Sequence, residues 1–400
     1  MDSLSQITLG AAVTVAVMGR RTAIWKAALV GGVVGTIPDL DAFINHGDAI
    51  LNMVRHRAES HSLLYLTLLA PLFGWGVSRI FREPELWRRW TLALWLAFFT
   101  HPLLDVMTVY GTRLLIPFTE HPYGIGSIFI IDPLYTVPLL IGLVVALTFK
   151  SWRGLKWNYV GLALSTLYLG WGVAAQSYVT HDAQASLKAS GIQAERLLVN
   201  PTAFNSVLWR LVAMTPDYYY EGFRSLLDPS SKDGAPTIVW RQYPRCGYLA
   251  QTFASNPGVA AIAHFSHGFY SLDQKDGHLF VTDLRMGQEP YYFFRFDLGN
   301  QPVAKVEVGA STGASTNTDA NAITSAGSSS RQGWDIVSRP AGQRPNLATA
   351  LPWLWERMWG KEVALPETVE TLRPMQVRVA QQCGDVNLRA PDKMTTQSGQ

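Results

Sequence analysis

The fold class this sequence predicts is an all-α polytopic membrane domain of about six helices, the first two short, followed by an α+β soluble domain with an antiparallel sheet. Three observations predict it. Long apolar runs are confined to residues 1–175, alternating strand-like runs are confined to 181–400, and the basic residues of the first half fall in every second loop. We place the membrane domain at 1–178 and the soluble domain at 179–400.

Four segments, 62–81, 90–109, 132–149 and 157–175, are long enough to cross a bilayer, which takes about 20 apolar residues. Two shorter ones, 7–19 and 22–37, precede them and together suit a helical hairpin. Charged residues make up 16% of the chain, against about 25% in a typical soluble domain. A net charge of +3, with no basic stripe interleaved with aromatics, argues against a nucleic-acid partner. No cleavable signal peptide is expected, because the opening carries no charged region and no small-residue cleavage site follows it.

Lys and Arg in short loops favour the cytoplasm. Arg20, Arg21 and Lys26 fall between the first two segments, Arg79, Arg82, Arg88 and Arg89 between the next two, and Lys150, Arg153 and Lys156 between the last two. The opposite loops hold only Arg55, Arg57 and Arg113. This asymmetry predicts a multi-pass protein of a bacterial inner membrane with its soluble domain in the periplasm. Cys246 and Cys383 both lie in that exported half, where a disulfide is open to them.

The polar residues of the membrane half converge on the same, non-cytoplasmic face. They are Asp2 and Gln6, Asp39 and Asp41 in PDLD, His56, Arg57 and His61 in HRAESH, His101 and Asp105 in HPLLD, Thr108, and Asp132. His101 and Asp105, four apart, share one helix face, and ionisable groups in an apolar span are costly and by default functional. Pro102 is expected to kink that helix. Asp39 and Asp41, read as extended backbone, would point the same way and suit a divalent cation. His56 is expected on a loop, with His61 opening the third helix behind Ser60 as N-cap. The bland reading of each pair is a capped or helix-locking contact; three His and several Asp on one face favour a site.

In the soluble half, runs at 196–199, 206–214, 218–227, 237–243, 269–272, 278–284, 291–298 and 303–308 suggest an antiparallel sheet. Asp276-Gly277 marks a hairpin turn, and helices are expected at 181–190 and 347–359. The Ser/Thr/Ala/Gly-rich stretch 309–333 reads as a disordered insertion, and the last dozen residues as frayed. His264 and His267 form an HxxH without carboxylates at ligand spacing, so both are read as packing or surface residues.

The ordered motifs MDSLSQxxLG, TIPDLD, HRxxxHSLL, HPLLDxxTxYGTRLLxPF and GSIFIIDPLYTVPLL resemble the YdjM-type family of inner-membrane metal-dependent hydrolases. The resemblance covers 1–149 and is read as continuing through NPTAFNSVLWR, SHGFYSL and FVTDLR. It implies metal ligands drawn from Asp39, Asp41, His56, His61, His101 and Asp105. Many such proteins carry Thr-His where this chain has Ser5-Gln6, so Gln6 is expected beside the ligands, with Asp2, Thr108 and Asp132.

The function expected is hydrolysis by a metal-activated water, with zinc as the first choice of cation and manganese or iron behind it. Asp39 and Asp105 are the candidate catalytic carboxylates and Arg57 the anion holder. A site at the membrane face favours membrane lipid, or a lipid-linked ester or phosphoester. Two other classes stay open: a transporter or ion-binding protein, and a non-catalytic membrane scaffold. The substrate, the number of metals and the oligomeric state are not legible in the sequence.

Overall fold

The computed structural model describes residues 1–229, 238–300, 338–363 and 382–383. The first half is helical. Asp2 caps α1 (Ser3–Met18) by accepting from the backbone of Leu4 and Ser5, and α2 (Ile24–Val34) returns alongside it. A 3₁₀ turn (Pro38–Phe43), α3 (Ala49–Arg55) and a second 3₁₀ turn (Glu59–His61) lead into α4 (Leu63–Ile80). Then come α5 (Trp87–Val106), α6 (Pro133–Phe149) and α7 (Trp152–Ala189).

The six expected helices are present, with two differences of extent. The helix expected at 181–190 is the continuation of α7, one element of 38 residues. The N-cap of α4 is Ser62 and not Ser60, whose hydroxyl is taken by Asp41 and His61. By length and composition one helix among the described residues, α4, is long and apolar enough to cross a membrane. The helices α1, α2 and α6 are apolar but shorter, and α5 carries Arg88, Arg89, His101 and Asp105.

Packing of the bundle depends on close backbone approach. A Cβ on Gly10 would lie 2.3 Å from the Gly31 carbonyl, and one on Gly31 equally close to the Gly10 carbonyl, so α1 and α2 touch main chain to main chain. Around this seam Val15, Met18, Ala27, Trp90 and Ala146 are buried, while Leu68, Leu72, Ile141 and Leu167 face outward.

The second half holds two antiparallel four-stranded sheets where one was expected. In the first, β1 (Arg196–Pro201), β2 (Leu208–Met214), β3 (Tyr218–Ser225) and β4 (Arg241–Pro244) form a meander in sequence order. Two helices not foreseen, α8 (Gly247–Thr252) and α9 (Pro257–Phe265), follow. Both are short, with Asn256 capping α9. The second sheet has the order β10-β9-β6-β5, from β5 (Tyr270–Lys275), β6 (His278–Asp283), β9 (Arg295–Asn300) and β10 (Arg339–Pro340), with a ribbon of β7 (Gly287–Gln288) and β8 (Tyr291–Tyr292) between. Asp276 and Gly277 turn β5 into β6 with positive φ at both, as a two-residue hairpin requires. The helix α10 (Leu347–Met358) follows. Cys246 and Cys383 form a disulfide. The insertion expected at 309–333, the strand at 303–308 and the last dozen residues lie outside the described residues.

The two halves meet over the end of the bundle that carries PDLD and HPLLD. Ile50, Met53 and Val54 of α3 and Tyr110 share a core with Val259, Ile262 and Phe265 of α9. Arg285 donates to the Val109 carbonyl at 3.3 Å, and Gln176 of α7 donates to the Val199 carbonyl of β1 at 2.8 Å.

Candidate metal centre

Four side chains from three stretches converge: Asp39 from the first 3₁₀ turn, His61 from the second, and His101 and Asp105 from one face of α5. The two imidazole Nε2 atoms are 3.2 Å apart. His61 Nε2 lies 3.2 Å from Asp105 Oδ2 and 3.5 Å from Asp39 Oδ1, and His101 Nε2 lies 3.4 Å from each of these oxygens. His61, His101 and Asp105 are sealed from solvent; Asp39, 19% exposed, is the way in.

The proton inventory of this quartet follows from its neighbours. His101 Nδ1 is 2.6 Å from the Gly35 carbonyl, which can only accept, so Nδ1 carries the proton. Ser60 Oγ donates to an Asp41 oxygen, which also only accepts; toward His61 Nδ1, 2.8 Å away, the hydroxyl must therefore accept. Each Nε2 therefore points inward, with a lone pair to offer when its ring is neutral. Asp39 Oδ1 and Asp105 Oδ2 are both buried without a hydrogen-bond partner. With both rings neutral, four acceptor atoms face one point. A cation satisfies such a set: five of the six edges are 3.2–3.5 Å, which suits a tetrahedron of about 2.0–2.1 Å radius, the Zn–N and Zn–O range, and the edge between the two carboxylates is within 4.8 Å.

Asp105 divides its oxygens between two jobs. Oδ2 faces the quartet, while Oδ1 takes the Met1 amino group, Gln6 Nε2 at 3.1 Å and Arg57 Nη2 at 3.4 Å. Arg57 is buried at a left-handed φ of 64°, its guanidinium 4.9 Å over the Tyr110 ring. Its Nη1 reaches Thr108 Oγ1 at a long 3.5 Å, and its Nε has no partner. The guanidinium is desolvated and only partly satisfied.

Asp41 and His56 stand outside the quartet. In a 3₁₀ turn residues two apart point in different directions, so PDLD sends Asp39 inward and Asp41 toward the chain of the second motif; the extended reading of that motif is corrected. Asp41 accepts from His56 Nδ1 at 2.8 Å, from the Arg57 backbone at 2.9 Å and from Ser60. Burial opposes its charge, but the bonds from His56 and Ser60 and the nearby His61 outweigh that, holding its carboxyl below the ordinary range. Asp2 and Asp132 cap α1 and α6, Asp132 also accepting from Tyr168 at 2.8 Å. Thr108 donates to the Asp105 carbonyl at 2.7 Å. Of the HxxH pair, His267 sits against His121, and its Nε2 is 2.9 Å from the Pro122 carbonyl, away from the quartet. The roles of Ser60 and the Gly35 carbonyl carried no signal in the sequence, since neither has a spacing that sets it apart.

The arrangement is a helical bundle that closes a His₂Asp₂ centre near one end. Residues 1–179, somewhat less than half of the chain, match the model of the YdjM inner membrane protein family. The whole quartet lies within the match; the motifs of the second half that seemed to extend the resemblance lie beyond it. No curated protein and no solved structure matches the chain.

Proposed function

We propose that the protein is a membrane-bound metal-dependent hydrolase acting on an ester or phosphoester presented at the bilayer surface. The observation that supports this is the quartet of inward-facing atoms, one of them on the partly exposed Asp39. Zinc is the first choice, from mixed imidazole and carboxylate donors at tetrahedral spacing. When bound, such a cation lowers the pKa of a water toward about 7 and polarises the scissile group.

The chain's own residues supply the rest. His61, His101 and Asp105 would hold the cation, leaving Asp39, the most exposed of the four, as the carboxylate placed to take a proton from the attacking water. Arg57, with its unpartnered Nε, is placed to neutralise an anionic substituent, in two-pronged fashion for a phosphate. Tyr110 and Thr108 hold that guanidinium in position. The soluble half roofs this end of the bundle and restricts what can reach Asp39.

Elemental analysis of purified protein, paired with a screen of esters and phosphoesters, tests the reading. Wild type should carry a divalent metal and turn over at least one substrate class, with a chelator abolishing turnover and added metal restoring it. His61→Ala and Asp105→Ala should each lose metal and turnover while still inserting into the membrane. Well-folded wild type that takes up no divalent metal would overturn the proposal.

A further inference from the structure

The helix α10 packs on the first sheet along part of its surface. Trp353, Leu354 and Met358 meet Leu208 and Phe223, the Phe223 and Trp353 rings meeting edge-on at 5.0 Å. Ser225 Oγ donates to the Met358 carbonyl at 2.6 Å, and Arg357 pairs with Asp228, so the helix is fixed on that sheet. Flanking this packed side run Leu347, Leu351 and Trp355, spaced by four in a stripe that drifts slowly around the helix, with Trp359 one turn further. These four are between 44% and 62% exposed. A stripe of two leucines and two tryptophans, about 18 Å long from the rise of 1.5 Å per residue, is an unusual face to leave in water.

Its height in the molecule says what covers it. Leu208 follows the 202–207 loop, whose Ser206 Oγ accepts from Tyr168 Oη at 2.9 Å and from Trp171 Nε1 at 3.1 Å. Both donors lie in the second half of the apolar run 157–175 of α7, seven and four residues before its end. The same loop places Phe204 against Phe129, beside the start of α6. The start of β2, paired with Ser225 at the end of β3, is thus level with the end of the apolar run, and α10 is bonded to that end of the sheet. Leu227, whose carbonyl lies close to Gly360 just past the stripe, is also half exposed.

We propose that α10 is an interfacial helix that seats the soluble half on the bilayer, with Leu347, Leu351, Trp355 and Trp359 in the boundary between headgroups and acyl chains. Tryptophan favours that layer, where its ring is buried and its N–H stays wet. An amphipathic helix buries its apolar side about 5–10 Å into the boundary. Charges of both signs flank the stripe, Arg344 and Lys361 with Glu356 and Glu362, so burial rather than attraction to anionic lipid supplies the affinity. Contact of α10 with lipid then adds to the contacts that hold this half on α7 and, through α9, on α3. The proposal stands whether or not the centre is catalytic.

Full-length protein with Leu351→Cys or Trp355→Cys, labelled with an environment-sensitive fluorophore, tests this in vesicles of phosphatidylethanolamine and phosphatidylglycerol containing a nitroxide lipid. Asp217→Cys is the control, on the β2–β3 turn at the far end of a seven-residue strand, roughly 20 Å away at 3.3 Å per residue. Positions 351 and 355 should blue-shift and lose roughly half or more of their emission to the nitroxide, as a probe in the boundary layer must, and position 217 should not respond. Two labelled positions guard against one misfolded variant. Emission at 351 and 355 as indifferent to the nitroxide as at 217 overturns the proposal. Shielding that grows with protein concentration but not with nitroxide also overturns it and assigns the stripe to a second copy of the chain.

Discussion

Ser60 decides which proton His61 carries. Its hydroxyl hydrogen goes to Asp41, so its lone pairs face His61 Nδ1 and hold the ring with Nε2 bare. Removing such an outer partner typically costs 10–100-fold in metal affinity without touching a ligand. Ser60→Ala should therefore bind metal about 10–100-fold more weakly and keep the fold; unchanged affinity in a titration against a competing chelator would show that the tautomer is set elsewhere. At this scale the sequence was informative about which motifs matter and silent about how they share the work. PDLD, HRxxxH and HPLLD do hold the four converging groups, but only the 3₁₀ geometry separates Asp39 from Asp41, and a short motif does not reveal it. A partly buried carboxyl in the second half, Glu289, gives a pH-dependent expectation. Burial raises Glu289 to about 7, against the bond donated by Tyr219 and helped by the charge of Glu221. Between about 4.5 and 7 the folded protein keeps a proton that the unfolded chain has lost, so stability falls as pH rises through that window. Glu289→Gln should flatten this fall and stabilise the protein at pH 8 by an order of 1–3 kcal/mol, read from denaturation midpoints at pH 5 and 8.

Gly31 and Gly35 show how an element without any ligand can govern the centre. Gly→Ala inside a helix is ordinarily favourable by about 1 kcal/mol. Here the added Cβ would meet the Gly10 carbonyl at 2.3 Å and Thr14 Oγ1 at 2.4 Å, and overpacking of this kind costs about 1–3 kcal/mol, so the clash wins. The displaced helix carries Gly35, whose carbonyl fixes the His101 proton. Gly31→Ala should lower the melting temperature and weaken metal binding together. Weakened packing with metal affinity intact would separate the seam from the centre. The apolar runs showed six helices because such runs mark helices without regard to tertiary contacts. They did not show that α7 runs unbroken into the soluble half, where polar residues such as Gln176 and Asp182 find partners on the sheets. Nor does period-two alternation reveal how strands divide between sheets, since that division is set by crossings such as β6 with β9.

In the whole molecule the two ends of the bundle differ in kind. One end holds the His₂Asp₂ centre and the soluble half. At the other, Lys26 pairs with Glu83 at 2.9 Å, Arg89 donates to the Val17 carbonyl, and Arg20 and Lys150 line one cavity with Trp25. The helical packing thus gathers at one end basic residues that are scattered through three loops. Lys and Arg beside membrane spans are held in the cytoplasm during insertion, which predicts that the centre and the soluble half face the other compartment. The disulfide between Cys246 and Cys383 points the same way, because such bonds persist in oxidising compartments. A reporter enzyme that works only after export, fused at the C-terminus, should be active, and one fused in the 82–86 loop beside Glu83 should be silent. A thiol introduced at Lys150 should resist an impermeant reagent in intact cells, whereas one at Asp217 should react. The reverse pattern would place the centre on the cytoplasmic side, and a substrate reaching Asp39 would then have to come from the inner leaflet.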